Sequence, residues 1–550
     1  MSSISLSPLS LLASSLTQTQ LAPSPIRHAD TQDIGRDQTA QQYARNLPPH
    51  EQRDSLFGAF PMALGHDVVA CHGVRVEKNR AVVFTHNYTS ADRCLQTKTL
   101  FPPNITPEPA TDFSVAILAA AATQPGETAL THPLQPGMES YLRTRGVLAD
   151  GAKLLEVNSA ITAGETIKLG WPYTDVVTLA HRAQVLPKDA IFIASLPTNH
   201  TAELVLESGG LPIQKSSAMR TNNKVVFQRD AERFGYKVID GMIIAGRAEL
   251  VLCALRYKDA TRVWVKHATA AGGDAVIAVA GPITVEKLEC AAARLHSLEN
   301  ETEIRTGFSR AAIESLSPEF VVQLDAGVDP VDLKSARKIH TIGGVLFRVS
   351  HDSTTEIHSY HEQETINGVF YGSKPYSPTP KARAMIDALT LQVGTYCAQE
   401  LKLYGNLGLD LVVVENLKGD ISVELIELNG RPNATTISRI IAEAVHAPHW
   451  QQVTIKTEMP LNDFCDIENF LGKDTLLAGD NDGPQFVVMG LGSLYKIGVN
   501  GMRELLVSAN YAKVLVIGKN PEQVRVGLDY IAARKALHLT LWQQAADKTA

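Results

Sequence analysis

The sequence predicts a protein of mixed α/β (α+β) class built from several domains. Three observations carry this. The chain has 550 residues, several times the roughly 150 that one domain takes. From residue 51 onward short apolar runs alternate with stretches of helical periodicity, the pattern of strands layered with helices. Hydrophobic residues at 44% and charged residues at 20% describe a chain able to bury cores, which excludes collagen-like, coiled-coil and wholly disordered alternatives.

Taken in order, residues 1–50 are polar, without sustained periodicity, and end in the turn-prone Asn46-Leu-Pro-Pro-His50; they read as a disordered leader. The first 26 residues carry no Lys, Arg, Asp or Glu. A secretory signal would want a basic start and a longer apolar core, so a processing or export segment is the lesser alternative. Residues 51–210 read as an α/β domain, with strands at 68–71, 81–84 and 191–194. A second domain, 211–455, opens where the composition turns polar before Lys224. Its first helix is 225–234, closed by Gly235 as a C-cap. Strands at 261–266 and 275–279 flank the small-residue loop 267–274, which makes a glycine-tipped hairpin. A long helix follows at 380–401, with Pro at its start and apolar residues at Met385, Ile386, Leu389, Val393, Tyr396 and Leu401. Two short strands, 411–414 and 421–428, complete it. The remainder, 456–550, is a small C-terminal domain with strands at 486–489 and 513–517 and a terminal helix from Pro521.

Charge and cysteine usage narrow the partners. The net charge is −7, from 51 basic and 58 acidic residues that are interleaved, so there is no broad cationic surface for a nucleic-acid backbone. The longest apolar run, 113–123, falls short of the roughly 20 residues that span a bilayer; no membrane partner is expected. Six cysteines at long, irregular intervals, with no CxxC pair, suit reduced thiols and a cytoplasmic location rather than disulfides or zinc. The 17 histidines show no metal spacing; His351, His358 and His361 read as part of a polar strand or loop.

The chemistry concentrates on the last hairpin of the central domain. Gly419 in Asn416-Leu-Lys-Gly-Asp420 can take the positive φ of a hairpin turn. A turn centred on Lys418 and Gly419 sets Asp410 opposite Glu427 on antiparallel strands, where like charges destabilise unless a cation bridges them. Alternation then puts Asn429 on the face of Glu427, with Arg431 continuing that direction. Hard oxygen donors in this arrangement suit Mg²⁺, held by one or two carboxylates together with substrate phosphates. A solvated salt-bridge cluster would use the same residues. Upstream, Lys266 ends a strand and residues 268–273, with Gly272 and Gly273 at the tip, are small, so backbone amides and one ammonium can meet an anion; most such hairpin tips bind nothing. Lys224 opens a helix, where the dipole favours phosphate, although an ordinary surface lysine reads the same way.

Set in order, Lys224, Val263-Trp-Val-Lys266, Thr269-Ala-Ala-Gly-Gly-Asp274, Phe320-Val-Val-Gln323, Gly405-Asn-Leu-Gly-Leu-Asp410 and Glu427-Leu-Asn-Gly-Arg-Pro432 resemble the ATP-grasp superfamily over residues 211–455. The last two motifs are the specific ones. The resemblance implies an ATP-grasp fold with a lid subdomain at about 224–320 and ATP between two subdomains. Lys224, Lys266, Gly272 and Gly273 would hold phosphates, and Gln323 and Asp329 the adenine and ribose. Asp410, Glu427 and Asn429 would hold Mg²⁺ (or Mn²⁺), while Arg431 and Lys266 would act on the transferred phosphoryl group. Gln323 stands where many relatives place Glu, and the segment after Lys266 lacks a strict Lys-Pro start. The flanking units resemble the pre-ATP-grasp and C-terminal domains of the pheganomycin-type peptide ligases.

The expected activity is therefore carboxylate–amine ligation through an acyl phosphate, with ADP and phosphate released. The partners would be small molecules, an amino-acid or peptide carboxylate and an amine, and a homodimer is allowed. Two alternatives stand beside it: a small-molecule kinase on the same fold, and a regulatory protein that binds ATP without turnover.

Overall fold

In the computed structural model, residues 126–157, 221–268, 276–306, 319–350, 353–366, 369–476 and 485–549 are described, apart from 222, 402, 404, 431, 432, 499 and 509. Also described are Thr123 and shorter pieces at 27–28, 68–69, 75–76, 82–85 and between 177 and 212. Arg431, Gly272, Gly273, His351 and most of the expected leader lie outside the described residues. Within that leader, the two-residue strand Arg27–His28 pairs in parallel with Glu356 and Ile357.

The N-terminal unit is a parallel sheet of β1 (Val82–Thr85), β2 (Thr128–Thr131), β3 (Lys153–Glu156), β4 (Ile191–Ala194) and β5 (Leu211–Pro212), in the order β3-β2-β1-β4-β5. Parallel sheets need cover on both faces. Leu130, Val157, Val177 and Phe192 bury together on one side. On the other, Ala129 packs with Met138, Tyr141 and Leu142 of α1 (Met138–Thr144).

The central unit begins with α2 (Lys224–Phe234). Asn223 caps it by accepting from the N–H groups of Val225 and Val226, and Gly235 closes it at φ 72°, a left-handed conformation open to glycine without strain. Next come β6 (Gly241–Ile244), α3 (Arg247–Arg256), β7 (Arg262–His267), β8 (Val276–Ala280), α4 (Val285–Thr306) and β9 (Phe320–Leu324). The strands make an antiparallel sheet in the order β8-β7-β9-β6. Alternation decides its faces: Val263, Val265 and Val322 are buried under α3 and α4 with Tyr257 and Leu288, so Trp264, Lys266, Val321 and Gln323 leave from the other side.

A second antiparallel sheet contains β10 (Lys338–Val349), β11 (Thr355–Ile366), β12 (Val369–Pro375), β13 (Gly405–Glu415) and β14 (Ile421–Asn429), in the order β12-β11-β10-β13-β14. Between β12 and β13 runs α5 (Pro380–Tyr396), capped by Thr379 with Pro380 in its first turn and extended by a π-helical turn over Cys397–Leu401. The helix pattern read over 380–401 is thus one helix that widens at its end. Its Ile386, Val393 and Tyr396 bury one face of the sheet together with Val345, Phe347, Leu409, Leu411, Val413, Val423, Leu425 and Leu428. Removing such side chains from water contributes roughly 1.5–3 kcal/mol each.

One irregularity in this sheet positions the site. From the turn inward, Glu415 pairs with Ile421 and Leu411 with Leu425; beyond that a bulge shifts the register, so Asp410 pairs with Glu427 and Gly408 with Asn429. Regular strands extended from this turn would have set Asp410 against Ile426. The expected pair is the observed one, but the extra residue on β14 is what produces it.

The C-terminal unit contains α6 (Ala434–Ala444), β15 (His449–Lys456), α7 (Phe464–Leu471), β16 (Gln485–Leu491), β17 (Leu494–Ile497), β18 (Arg503–Val507), β19 (Tyr511–Gly518) and α8 (Pro521–Thr549). Its antiparallel sheet runs β15-β19-β16, and β17 and β18 form a separate hairpin. Because β15 pairs along its whole length with β19, this sheet begins before the boundary at 455/456. Its core is shared: Phe486, Val514 and Ile467 bury with Ala129, Met138 and Leu142 of the N-terminal unit. The flanking pieces, far apart in sequence, therefore pack as one body. No helix among the described residues is long and apolar enough to cross a membrane.

Candidate active site

The face of the second sheet opposite α5 carries the polar residues. Val412 and Val414 are buried there with Ile239, and Ile426, partly buried, packs against them, so the bulge turns two consecutive residues of β14, Ile426 and Glu427, to the same side. Glu427 thereby leaves the apolar face of Leu425 and Leu428 and joins Asp410. Asn429 follows two residues on. At the motif's second glycine, a Cβ on Gly408 would lie 2.6 Å from Nδ2 of Asn433, the residue that caps α6; only a missing side chain lets that helix start approach the strand.

Lys224 reaches this cluster from the first turn of α2. Its Nζ lies 2.7 Å from Oε2 of Glu427, with both side chains largely buried. The helix start is held in place by a backbone bond from Lys224 N–H to the carbonyl of Ala268, just past β7, and by burial of Val225 against Ala268 and Val321. Asp410 accepts from Nε2 of Gln363 at 3.0 Å and from Nδ2 of Asn429 at 3.2 Å.

Lys266 enters from β7 of the four-stranded sheet. Its Nζ donates to Oε1 of Gln323 at 2.7 Å, and Gln323 donates in turn to Gln228 of α2 at 3.2 Å. Burial and the neighbouring Lys224 ammonium lower its pKa to about 8, against the opposing pull of Glu427, Asp325 and Asp410. These interactions bring Lys224, Lys266, Gln323, Asp410, Glu427 and Asn429 together. Asp329 is placed differently: it follows β9 in a loop, where its Oδ1 accepts from the N–H groups of Val331 and Asp332 at 2.8 and 3.2 Å, which makes it the organiser of that turn.

Three residues of the neighbourhood escape the sequence reading. Gln363 and Gln228 carry no motif signal; their roles arise from strand register and helix packing. His361 is read from sequence only as one of a group in a polar strand or loop. It is in fact buried on β11, in a row that runs His361, Gly344, Asp410, Glu427 across four strands. Burial lowers its pKa to about 3, so the ring is neutral, and neither ring nitrogen has a hydrogen-bond partner.

The donor set fits a hard divalent cation. Asp410 and Glu427 are in register on adjacent strands, roughly 5 Å apart at Cβ, and Asn429 adds an amide oxygen. No group of three or more His, Cys, Asp or Glu side chains among the described residues is arranged to hold a metal. A cation here would complete its shell with Asn429, water and phosphate oxygens, the usual manner of Mg²⁺.

Comparisons with known proteins give no matching family model and no matching curated protein. Among solved structures, the chain is similar to biotin carboxylase from Campylobacter jejuni in complex with β,γ-ATP, at 13% identity and a TM-score of 0.45, covering 82% of this chain and 91% of that one. It is also similar to the N5-carboxyaminoimidazole synthetase from Staphylococcus aureus complexed with ADP, at 8% identity and a TM-score of 0.44, covering 85% and 100%. A third, the N5-carboxyaminoimidazole ribonucleotide synthetase from Thermus thermophilus, gives 10% identity and a TM-score of 0.43 over 82% and 98%. Identities and scores this low leave function to be argued from the site itself. The mixed helix-and-strand architecture stands on the elements described above.

Proposed function

We propose that this chain is an ATP-grasp enzyme, an ATP- and Mg²⁺-dependent ligase that joins a carboxylate to an amine and releases ADP and phosphate. The observation that carries the reading is the Asp410–Glu427 pair on one sheet face, bound by Lys224 at 2.7 Å and met from the lid by Lys266. Phosphoryl transfer needs positioning and charge neutralisation far more than a protein nucleophile, and this cluster offers both. Lys224 and Lys266 would carry phosphate oxygens, their mutual repulsion relieved by the anion. Gln323, on β9, would orient Lys266 and meet the nucleobase side, with the Gly272-Gly273 loop over the phosphates; Asp329, whose Oδ1 is taken up by its own turn, would have only Oδ2 to offer a ribose. When bound at Asp410, Glu427 and Asn429, the metal would neutralise charge on the transferring group.

Arg431 would stabilise that group beside Asn429. The reacting substrate carboxylate attacks the γ-phosphorus, ADP leaves, and the acyl phosphate is then taken by an amine to give an amide and phosphate. Peptide-like substrates, as in the pheganomycin-type ligases, accord with the flanking domains, and a cytoplasmic setting accords with the free thiols of Cys253, Cys290, Cys397 and Cys465.

The experiment is Mg²⁺-dependent release of ADP and phosphate from ATP in the presence of pooled amino acids and dipeptides, comparing wild type with Glu427→Gln. Release that needs the pool and vanishes in the variant is expected, with an amide product found by mass spectrometry. A stable phosphorylated product formed without amine would identify a kinase instead, and ADP binding without turnover a regulatory protein.

A further inference from the structure

Across the second sheet, Pro375, His361, Gly344, Asp410 and Glu427 are successive register partners on β12, β11, β10, β13 and β14. Val345 and Leu409, chain neighbours of Gly344 and Asp410, are buried against α5, so alternation sends His361 out on the face of the metal residues. His361 is 1% exposed, and among the described residues neither ring nitrogen has a hydrogen-bond partner. A buried polar group in that condition lowers stability, and native proteins keep few of them.

Gly344 fixes where the ring lies. A Cβ on that glycine would be 2.7 Å from Nε2 and 2.8 Å from Cε1 of His361, so this edge of the imidazole rests over bare backbone between β11 and β13. Pro375 and Gly344, its neighbours in the row, have no polar side chain; the nearest one along the row is Asp410. Strands two apart are separated by roughly 9.6 Å, and a side chain already bridges that span. Gln363, two residues on from His361 and on the same face, donates to Oδ1 of Asp410 at 3.0 Å. Oδ2 accepts from Asn429 of β14 instead. The oxygen nearer β11 therefore keeps a second lone pair, and the neutral ring has one N–H to give.

We propose that His361 is a positioning residue for the metal-bound site: when a cation takes Oδ2 of Asp410, the Nε2–H of His361 joins Gln363 on Oδ1 and holds the carboxylate with one oxygen turned to the metal. Carboxylates that ligate metals are themselves hydrogen-bonded, and those bonds set their orientation. The bond gained by the ring favours the metal-bound form through a differential interaction. The proposal rests on the reading of Asp410, Glu427 and Asn429 as metal ligands.

The test measures ADP binding to the full chain by calorimetry with and without Mg²⁺, together with the melting temperature without Mg²⁺. His361→Leu removes both unpartnered nitrogens at similar volume. It should keep or raise the melting temperature while the Mg²⁺-stimulated affinity for ADP falls about tenfold. His361→Gln keeps a donor at similar reach and should recover most of that loss. In protein labelled with ¹⁵N-histidine, the signal missing from His361→Leu should report an Nε2–H whose proton moves downfield with MgADP and not with ADP alone. An unchanged Mg²⁺ response in His361→Leu would overturn the proposal. So would a joint loss of melting temperature and Mg²⁺ response that His361→Gln does not repair, since that is the mark of packing alone. A wild type whose ADP binding gains nothing from Mg²⁺ has a different meaning: the metal reading itself fails, and the role of His361 with it.

Discussion

Asp410 and Glu427 oppose each other across β13 and β14 one step beyond a bulge, and the bulge is the reason that both carboxylates leave the sheet on one face. Without it, Glu427 would point into the core lined by Leu425 and Leu428, where an ionised carboxylate is prohibitively costly. The pair is itself an expense, since like charges in register repel. Lys224 on one member and two amide donors on the other offset it in the unliganded protein.

Asp410→Asn should relieve this repulsion. The melting temperature without Mg²⁺ is expected to stay within about 2 °C of wild type or to rise, while Mg²⁺-stimulated ADP binding weakens at least tenfold; calorimetry and titration check the two halves. A variant that loses stability and keeps its Mg²⁺ response would show that Asp410 is structural.

Lys224→Met should leave Glu427 charged, largely buried and without its ammonium. A loss of roughly 2–4 kcal/mol in denaturant unfolding is expected. The double variant Lys224→Met/Glu427→Gln should recover part of that loss, since the cycle isolates the pair.

Nucleotide binding should depend on pH through Lys266. Its pKa is lowered to about 8, so the unliganded protein loses this ammonium as pH rises through 8, and ADP affinity should fall there. Bound phosphate favours the charged form, so binding near pH 8.5 should take up protons, seen as calorimetric enthalpies that vary with the buffer. The folding consequence has the opposite sense. Between about 8 and the ordinary lysine value the unfolded chain binds the extra proton, so this residue's unfavourable contribution fades as pH rises. Lys266→Met should abolish both dependences.

Gly344→Ala should disrupt the row that joins His361 to Asp410. A Cβ there would lie 2.6 Å from the carbonyl oxygen of Leu409 and 2.7 Å from Nε2 of His361. A destabilisation of about 1–3 kcal/mol is expected. Adding His361→Ala should restore only part of it, because the backbone contact remains; full recovery would place the whole strain on the ring.

The helix over Lys224–Phe234 with its Gly235 cap, the hairpin of β7 and β8, the long helix from Pro380 and the strands around the Asn416–Asp420 turn were all legible in the sequence. Each is set by local rules: periodicity, caps and turn residues. The lysines, acids and Asn429 stood out in the sequence by residue type and order, and the structure brings them together. The joint packing of the N-terminal and C-terminal units was not legible, since it depends on contacts between residues more than 300 positions apart, such as the hydrogen bond that the Tyr141 hydroxyl donates to the carbonyl of Phe486.

By itself, then, the sequence determined which residues are available to do chemistry and which local elements carry them. The tertiary structure decided how they meet. The bulge between Leu425 and Glu427, the bond of Gln363 to Asp410 and the burial of His361 over Gly344 all depend on register and on packing between distant segments. Hydrogen-bond pairing and close packing select among arrangements that local periodicity leaves equivalent, and only the folded chain makes that selection.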